Sequence, residues 1–276
     1  MPRSETINPQ PNQPSATMTD PQQTTTTPEF SIVIPALNEQ GNIRPLVEEI
    51  RHHLDGAHTY ELIYVDDGST DQTITELRDL QEQGCRHLHI IRHDRSYGQS
   101  AALLSGVHRA TAPWIVTLDA DGQNDPADIP HLYQAVKIAH ERDKSFVCAA
   151  GYRKNRQDTL NKRISSKIAN AVRQACLDDD CPDTGCGLKI FSRATFLALP
   201  FFDHIHRFIP ALIKRGNDKT LTVEVNHRPR RTGRSKYGIH NRLWVGIVDL
   251  IGVMWLLRRK KNPHYLPETQ NNKEKP

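Results

Sequence analysis

Phe30-Ser31-Ile32-Val33-Ile34-Pro35 is a short, β-branched apolar run closed by proline, and it reads as a buried strand. Outward from it, Asn38-Glu39 opens a helical stretch through Leu54, with Ile43, Leu46, Val47 and Ile50 at helical spacing. A second strand, Glu61-Leu62-Ile63-Tyr64-Val65-Asp66, ends in the turn Asp67-Gly68-Ser69, where Ser69 or Thr70 can cap a helix over about Asp71–Gln83. His87 to Arg92 reads as a third strand, Tyr97 to Arg109 as a third helix, and Pro113 to Leu118 as a fourth strand. Strands alternating with helices over short connections predict an α/β fold with a mostly parallel sheet covered on both faces. Ligands of such sheets gather beyond the carboxyl ends of the strands. Asn38 and Glu39, Asp66 and Asp67, and Asp119 and Asp121 all fall there.

The remainder of the chain sets bounds on this reading. With 276 residues, 37% hydrophobic and 25% charged, there is enough apolar side chain for a substantial core. Residues 1–28 are rich in Pro, Gln and Thr and lack aromatics, so they are expected to be a disordered tail; residues 262–276 read as a disordered polar tail. No apolar run reaches the roughly 18 to 20 residues that span a bilayer, and no apolar stretch follows the N-terminus to make a secretory signal. The five cysteines show neither disulfide nor zinc spacing, which suits reduced thiols in cytosol. The net charge of +4 permits an anionic partner without naming one.

Asp119-Ala120-Asp121-Gly122-Gln123 follows the fourth strand. Read as extended chain, Asp119, Asp121 and Gln123 point to one side and present two carboxylates and an amide oxygen, a donor set for Mg²⁺ or Mn²⁺. Aspartates after a strand also cap helices, as Asp125 before Pro126 is placed to do.

These motifs in this order resemble family-2 glycosyltransferases of the GT-A fold, in the branch of dolichol-phosphate mannosyltransferases and polyprenyl-phosphate glycosyltransferases. The resemblance runs from Ile32 to about Tyr237. It rests on Val33 to Glu39, Val65 to Ser69, Tyr97-Gly98-Gln99, Asp119 to Gln123, Asp183-Thr184-Gly185-Cys186-Gly187, and Arg230 with Gly233, Ser235, Lys236 and Tyr237. It implies that Pro35, Ala36 and Glu39 line a nucleotide pocket, that Asp66 and Asp67 meet base or ribose, and that Gly98 lets backbone approach the nucleotide. It further implies that Asp119 lies nearest the nucleotide while Asp121 and Gln123 hold a divalent ion on the diphosphate of a GDP- or UDP-sugar. Glu39 can also stabilise a helix N-terminus, and Asp66 can serve only its turn.

On the acceptor side, Lys162, Ser166 and Asn170 fall at i, i+4 and i+8 of a helix and, with Arg153, can grip a phosphate monoester; a solvated basic face gives the same pattern. By resemblance this region holds a lipid phosphate, usually through arginine where Lys162 stands, and Arg230, Ser235 and Lys236 close over the diphosphate. The basic loop Arg228–Tyr237 also fits nucleic acid, but no stacking platform accompanies it, and no nucleic-acid partner is expected. Asp183 is a base candidate toward a hydroxyl acceptor, or a turn aspartate; a phosphate acceptor is already anionic and needs no base.

Leu243 to Leu257 is a 15-residue apolar run interrupted by Asp249 and two glycines and followed by Arg258-Arg259-Lys260-Lys261. At about 22 Å as a helix it falls short of a hydrocarbon core near 30 Å. It is expected to lie in the membrane interface; a buried core or oligomer helix is the alternative. The expected organisation is a catalytic domain over 29–238 and an interfacial helix over 239–261. The expected activity is metal-dependent inverting transfer of a mannose- or glucose-type sugar to polyprenyl phosphate. It would take place peripherally on the cytoplasmic membrane face, with a separate integral-membrane partner. Transfer to a sugar hydroxyl, or a non-catalytic nucleotide-sugar-binding scaffold, are the alternatives.

Overall fold

In the computed structural model, residues 27–85, 87–153, 171–179, 181–229, 239–259 and 261 are described, without side chains for 239–244. The tail up to residue 26 and residues 262–276 fall outside that set. The elements run β1 (Phe30–Ala36), α1 (Ile43–Leu54), β2 (Tyr60–Asp66), α2 (Thr73–Glu82), β3 (Leu88–Arg92), α3 (Gln99–Arg109), β4 (Trp114–Thr117), α4 (Ile129–Arg142) and β5 (Phe146–Tyr152). After these come α5, described over 171–177, then β6 (Lys189–Ser192), α6 (Arg193–Leu197), α7 (Ile209–Arg215), β7 (Lys219–Glu224) and α8 (Ile239–Arg258).

Among the described residues seven strands form one sheet in the order β3-β2-β1-β4-β6-β5-β7. β1 pairs in parallel with β2 and β4, β2 with β3, and β5 with β7. β6 runs antiparallel to both β4 and β5. The expected α/β architecture is therefore present, with one reversed strand that periodicity did not indicate. Its register sets Lys189 opposite Thr117, so the start of β6 lies at the same sheet edge as the end of β4.

The central strands β1 and β2 are buried on both faces, as continuous apolar runs require, while the edge strands β3 and β7 are partly exposed. On one side Ile32, Ile34, Leu62 and Tyr64 pack with Leu46, Ile50 and Leu77 of α1 and α2 and with Leu132 and Val136 of α4. On the other, Val33, Ile63 and Val65 pack with Ala102, Leu103 and Val107 of α3. α3 lies close on the sheet because Gly106 has no side chain: a Cβ there would overlap Val33 Cγ1. A buried carboxylate ties the opposite edge. Glu61 accepts from Ser31 Oγ (2.5 Å), Thr111 N (2.6 Å) and Ala112 N (3.3 Å), joining β1, β2 and the entry to β4.

Several boundaries differ from expectation for local reasons. α2 starts at Thr73, and its entry is held by Asp71, whose Oδ1 accepts from Thr73 N at 3.0 Å. Ser69 and Thr70 do not cap it, because they bond Asn38 across the loop (Ser69 Oγ from Asn38 N, 2.9 Å; Thr70 N to Asn38 Oδ1, 2.7 Å). α1 starts at Ile43 because Asn38 takes a left-handed φ of 50° and bends the chain away from helix. Asp125 does cap, accepting from Ala127 N at 3.0 Å.

α8 is docked rather than free. Leu250, Val253, Met254 and Leu257 pack on Leu177, Ile205, Phe208 and Leu212, at i, i+3, i+4 and i+7. Asp249, the one acid in the apolar run, pairs with His204 Nδ1 at 3.0 Å. The outer face is apolar too: Val248, Ile251 and Trp255 are 65%, 61% and 60% exposed. Among the described residues no helix is long and apolar enough to cross a membrane.

Gly106→Ala is expected to lift α3 off β1 and to cost about 1–3 kcal/mol, the usual range for overpacking. A lower urea midpoint at unchanged slope is the expected reading, and an unchanged midpoint would refute the contact.

Candidate active site

The loops after β1 and β2 interlock. Ala36 O accepts Asp67 N at 2.8 Å, Glu39 N donates to Thr73 Oγ1 at 2.8 Å, and Glu39 Oε2 accepts from Asn42 Nδ2 at 2.8 Å. Glu39 thus stands ahead of α1 rather than in its first turn. Asp66 is fully buried; its Oδ1 accepts Ser69 N (2.9 Å) and its Oδ2 faces Arg92 Nε at 3.3 Å. It closes the turn.

Asp67 braces a loop. Its carboxylate meets His93 Nδ1 (2.7 Å) and accepts from Ser96 Oγ (2.7 Å), Tyr97 N (2.9 Å) and Gly98 N (2.9 Å). Two carboxylate oxygens offer about four lone pairs, and the 93–98 loop takes all of them. Burial pushes the Asp67 carboxyl up, but these hydrogen bonds outweigh it and hold it below the usual range. Gly98, at φ 92°, gives its N–H to Asp67. Residues 93–98 are thereby fixed where α3 begins. Gly68 shares in this: at φ +76°, it leaves room for the Arg95–Ser96 backbone, which a Cβ would meet at 2.5–2.8 Å.

The Asp119–Gln123 segment is a turn, not extended chain, with Gly122 at φ 72°; side-chain alternation therefore does not apply. Asp119 N donates to Asn124 Oδ1 (3.1 Å), and Asp121 Oδ1 accepts Gln123 N (3.1 Å). Asp119 lines a cavity of about 280 Å³ together with Pro35, Gln99, Gly187, Lys189 and His206. Burial first, then the charge of Asp121, raises the Asp119 carboxyl, with Lys189, Arg153 and a 3.0 Å hydrogen bond from Gln99 Nε2 opposing. Two neighbouring carboxylates of which one is destabilised as an anion, with an amide beside them, fit a small divalent cation. Asp119 and Asp121 would hold it; Gln123, expected as a third ligand, is seen to give its backbone N–H to Asp121.

Arg228 staples this loop to the rest. Its N donates to Gln123 O (3.1 Å), and its guanidinium reaches Asn124 O (3.1 Å), Glu49 Oε2 (2.9 Å) and Asp125 Oδ1 (3.4 Å). The segment that follows carries Arg230, Ser235 and Lys236, which lie outside the described residues, as do Lys162, Ser166 and Asn170.

Asp183 and Arg153 were expected to act separately, as base and as phosphate grip. They form one bidentate pair: Arg153 Nε donates to Asp183 Oδ2 (2.7 Å) and Nη2 to Oδ1 (2.9 Å), and Arg153 N adds a bond to Oδ2 at 3.3 Å. Both carboxylate oxygens are turned to the guanidinium. The pair holds the 183–187 turn against the end of β5. Gly187 then lies so close to the metal loop that a Cβ would overlap Asp119 Oδ2 and Cγ and Asn124 Oδ1.

Sequence reasoning missed Asn124, Lys189, His206 and Arg207. Lys189 left a signal, a lone cation inside Leu188-Lys189-Ile190-Phe191. The two basic residues of the 205–207 turn left none, because only folding brings that turn to α3, where His206 Nδ1 meets Ser100 Oγ at 2.8 Å. Burial above all, with Arg207 and Lys189 nearby, pushes His206 down to about 3, so it faces the cavity as neutral imidazole.

The profile of "Glycosyl transferase family 2" matches residues 31–199, from β1 through the 183–187 turn to the end of α6. The chain belongs to this family. A dodecaprenyl-phosphate galacturonate synthase of Rhizobium johnstonii is 35% identical over 239 residues, 85% of this chain and 69% of that protein. An undecaprenyl-phosphate 4-deoxy-4-formamido-L-arabinose transferase of Photorhabdus laumondii is 36% identical over 210 residues, 76% of this chain and 63% of that one. The glycosyltransferase chain thus spans less than two thirds of the latter's length. Among solved structures, glucosyl-3-phosphoglycerate synthase of Mycobacterium tuberculosis with Mg²⁺ and UDP superposes at a TM-score of 0.60 and 19% identity, covering 86% of this chain and 81% of that one. A mannosyltransferase of Pyrobaculum calidifontis with GDP-Man and Mn²⁺ does so at 0.59 and 19%, covering 87% and 67%. These likenesses establish the GT-A fold.

Two outcomes check this geometry. Gly187→Ala should leave the fold cooperative yet weaken Mn²⁺ binding, read by calorimetry, at least tenfold; unchanged affinity would refute the close packing on Asp119. Asp67→Asn should cost roughly 2 kcal/mol at neutral pH, the scale of hydrogen bonds to a charged group. Because the folded carboxyl is depressed, its stabilisation is complete above the unfolded value near 4 and is lost as pH falls through the folded value. The gap between wild type and variant should be constant from about pH 5 to 8 and shrink below about 4; a gap that widens in acid would refute it.

Proposed function

We propose that this glycosyltransferase is a metal-dependent inverting enzyme that moves a hexosyl group from a nucleoside diphosphate sugar to a polyprenyl phosphate at a membrane surface. The observation that carries this is Asp119 in the cavity wall with the carboxylate of Asp121 close enough to raise it. A Mg²⁺ or Mn²⁺ ion held there supplies Lewis-acid neutralisation of the leaving diphosphate. The relatives' names agree on a polyprenyl phosphate acceptor but differ in the sugar.

The chain's own residues supply the rest. Pro35, Ala36 and Glu39 border the nucleotide, and Asp67 sets the 93–98 loop beside it. Gln99 and Gly187 hold Asp119 in place. The acceptor phosphate oxygen attacks the anomeric carbon on the face away from the diphosphate: a C1–O bond to the acceptor forms as the C1–O bond to the nucleotide breaks. This oxygen is anionic already, so catalysis rests on position. That no free base is offered at Asp183, whose two oxygens hold Arg153, favours a phosphate over a sugar hydroxyl as acceptor. The proposal retains Lys162 and Ser166 on the acceptor side and Arg230, Ser235 and Lys236 over the diphosphate.

Membrane attachment is assigned to α8. Its outer stripe of Val248, Ile251 and Trp255 is apolar, and the exposed Arg258, Arg259 and Lys261 follow at its end, an arrangement suited to an anionic lipid interface. A peripheral place on the cytoplasmic face, and a separate integral-membrane partner, belong to the same proposal.

Purified protein with Mn²⁺, a panel of labelled nucleotide sugars and polyprenyl phosphate should yield lipid-linked sugar, and Asp121→Ala should lower the rate at least a hundredfold. No product with any donor would refute the reading. Val248→Asp combined with Ile251→Asp should weaken binding to vesicles containing anionic lipid at least tenfold, and undiminished binding would remove α8 as the anchor.

A further inference from the structure

The turn Asp203–Arg207 lies between α8 and the start of α3 and touches both. Toward α8, Ile205 and Phe208 pack with Leu250, Val253 and Met254, and His204 Nδ1 meets Asp249 Oδ2 at 3.0 Å. Toward α3, His206 Nδ1 meets Ser100 Oγ at 2.8 Å. Asp203 is there too, its Oδ1 only 3.6 Å from where a Cβ on Gly98 would stand. Gly98 and Ser100 flank Gln99, whose side chain donates to Asp119 Oδ1 at 3.0 Å. His206 and Arg207 themselves line the cavity. A single turn of chain therefore separates the helix assigned to the membrane from the residue that steadies Asp119.

Two features give the contact with α8 a purpose. The first is the backbone of His204, which stands at φ 65°. That left-handed conformation is disfavoured for a residue with a side chain, and it persists where the surroundings over-determine it. The surroundings here are two carboxylates. Asp203 Oδ1 accepts His204 N at 2.8 Å and its Oδ2 lies 3.6 Å from Nε2, while Asp249 faces Nδ1. One brace comes from the turn itself and the other from α8. The second feature is Asp249, the one acid between Leu243 and Leu257, with a side chain only 15% exposed. A carboxylate so placed is costly without a polar partner. Neither packing on Leu212 and Phe208 nor contact with lipid calls for an acid at this position; holding His204 does.

We propose that Asp249 and His204 are positioning residues of the metal site, so that α8 has a second task besides attachment. This rests on the metal-dependent transferase reading above and adds to it a link from the membrane-facing helix to Asp119. Neither residue touches substrate or metal. Their influence passes through the 203–207 turn to Gly98 and Ser100, then through Gln99 to the carboxylate, each step a packed or hydrogen-bonded contact.

The test titrates Mn²⁺ into the full chain by calorimetry, alone and with UDP or GDP present, and uses the condition in which wild type binds most tightly. Asp249→Ala and His204→Ala should each weaken Mn²⁺ binding at least fivefold. The double variant should fall within twofold of the weaker single one, because both substitutions break the same contact. Leu250→Ala removes packing from the same stretch of α8 and leaves the pair in place. It should lower the melting temperature at least as much as Asp249→Ala, yet keep Mn²⁺ affinity within twofold of wild type. Equal weakening by Leu250→Ala overturns the proposal, since the loss would then be general loosening of α8. Unchanged affinity in Asp249→Ala and His204→Ala, or effects of the two that simply add, overturns it while leaving the metal reading intact. If Asp249→Ala does not fold, His204→Ala against Leu250→Ala still decides. A wild-type chain that binds no Mn²⁺ in any condition removes the proposal together with the metal-dependent reading.

Discussion

Asp67 accepts hydrogen bonds from one short loop on both of its oxygens, and the placement of everything on that side of the cavity follows from this. The carboxylate is itself fixed by its own backbone N–H on Ala36 at the end of β1. A chain of contacts thus runs from the central strand, through Asp67, into residues 93–98 and on to Gln99, which touches Asp119. In a dry setting a charged acceptor with its full set of donors resists rearrangement more than any neutral pair would. The loop is tied to the sheet by an anion buried at its centre.

A second ionic contact does the same for the other wall. Arg153 and Asp183 close a bidentate pair between the end of β5 and the turn before β6, and that turn presses Gly187 on Asp119. Two walls, each set by one buried carboxylate, converge on a third carboxylate that is kept half open.

Much of this was legible in the sequence, and the part that was not has a common cause. β1 to β4 and the helices between them follow from local periodicity, and the polar residues at strand ends follow from topology. Asp119, Asp121 and the Asp183 turn were found by motif. Whether an aspartate is a ligand or a brace depends on partners far along the chain, and spacing carries no trace of them. Asp67 is engaged by residues 26 to 31 positions away, and Asp183 by one 30 positions away. For the same reason the argument from alternation over Asp119 to Gln123 failed: Gly122 turned the segment, and the neighbouring Asn124 set its shape. The reversed β6 was hidden because antiparallel and parallel strands have the same apolar pattern when both faces are covered.

The reversal of β6 has an evolutionary corollary. Because it enters the sheet from the ligand-bearing edge, the chain stretch ahead of it can contribute to binding without any change in β1, β2 or β3. The half of the sheet built from β1, β2 and β3 is thus separable from the chain stretch that leads into β6. A change of length or composition ahead of β6 can therefore be absorbed without disturbing the register of the parallel strands.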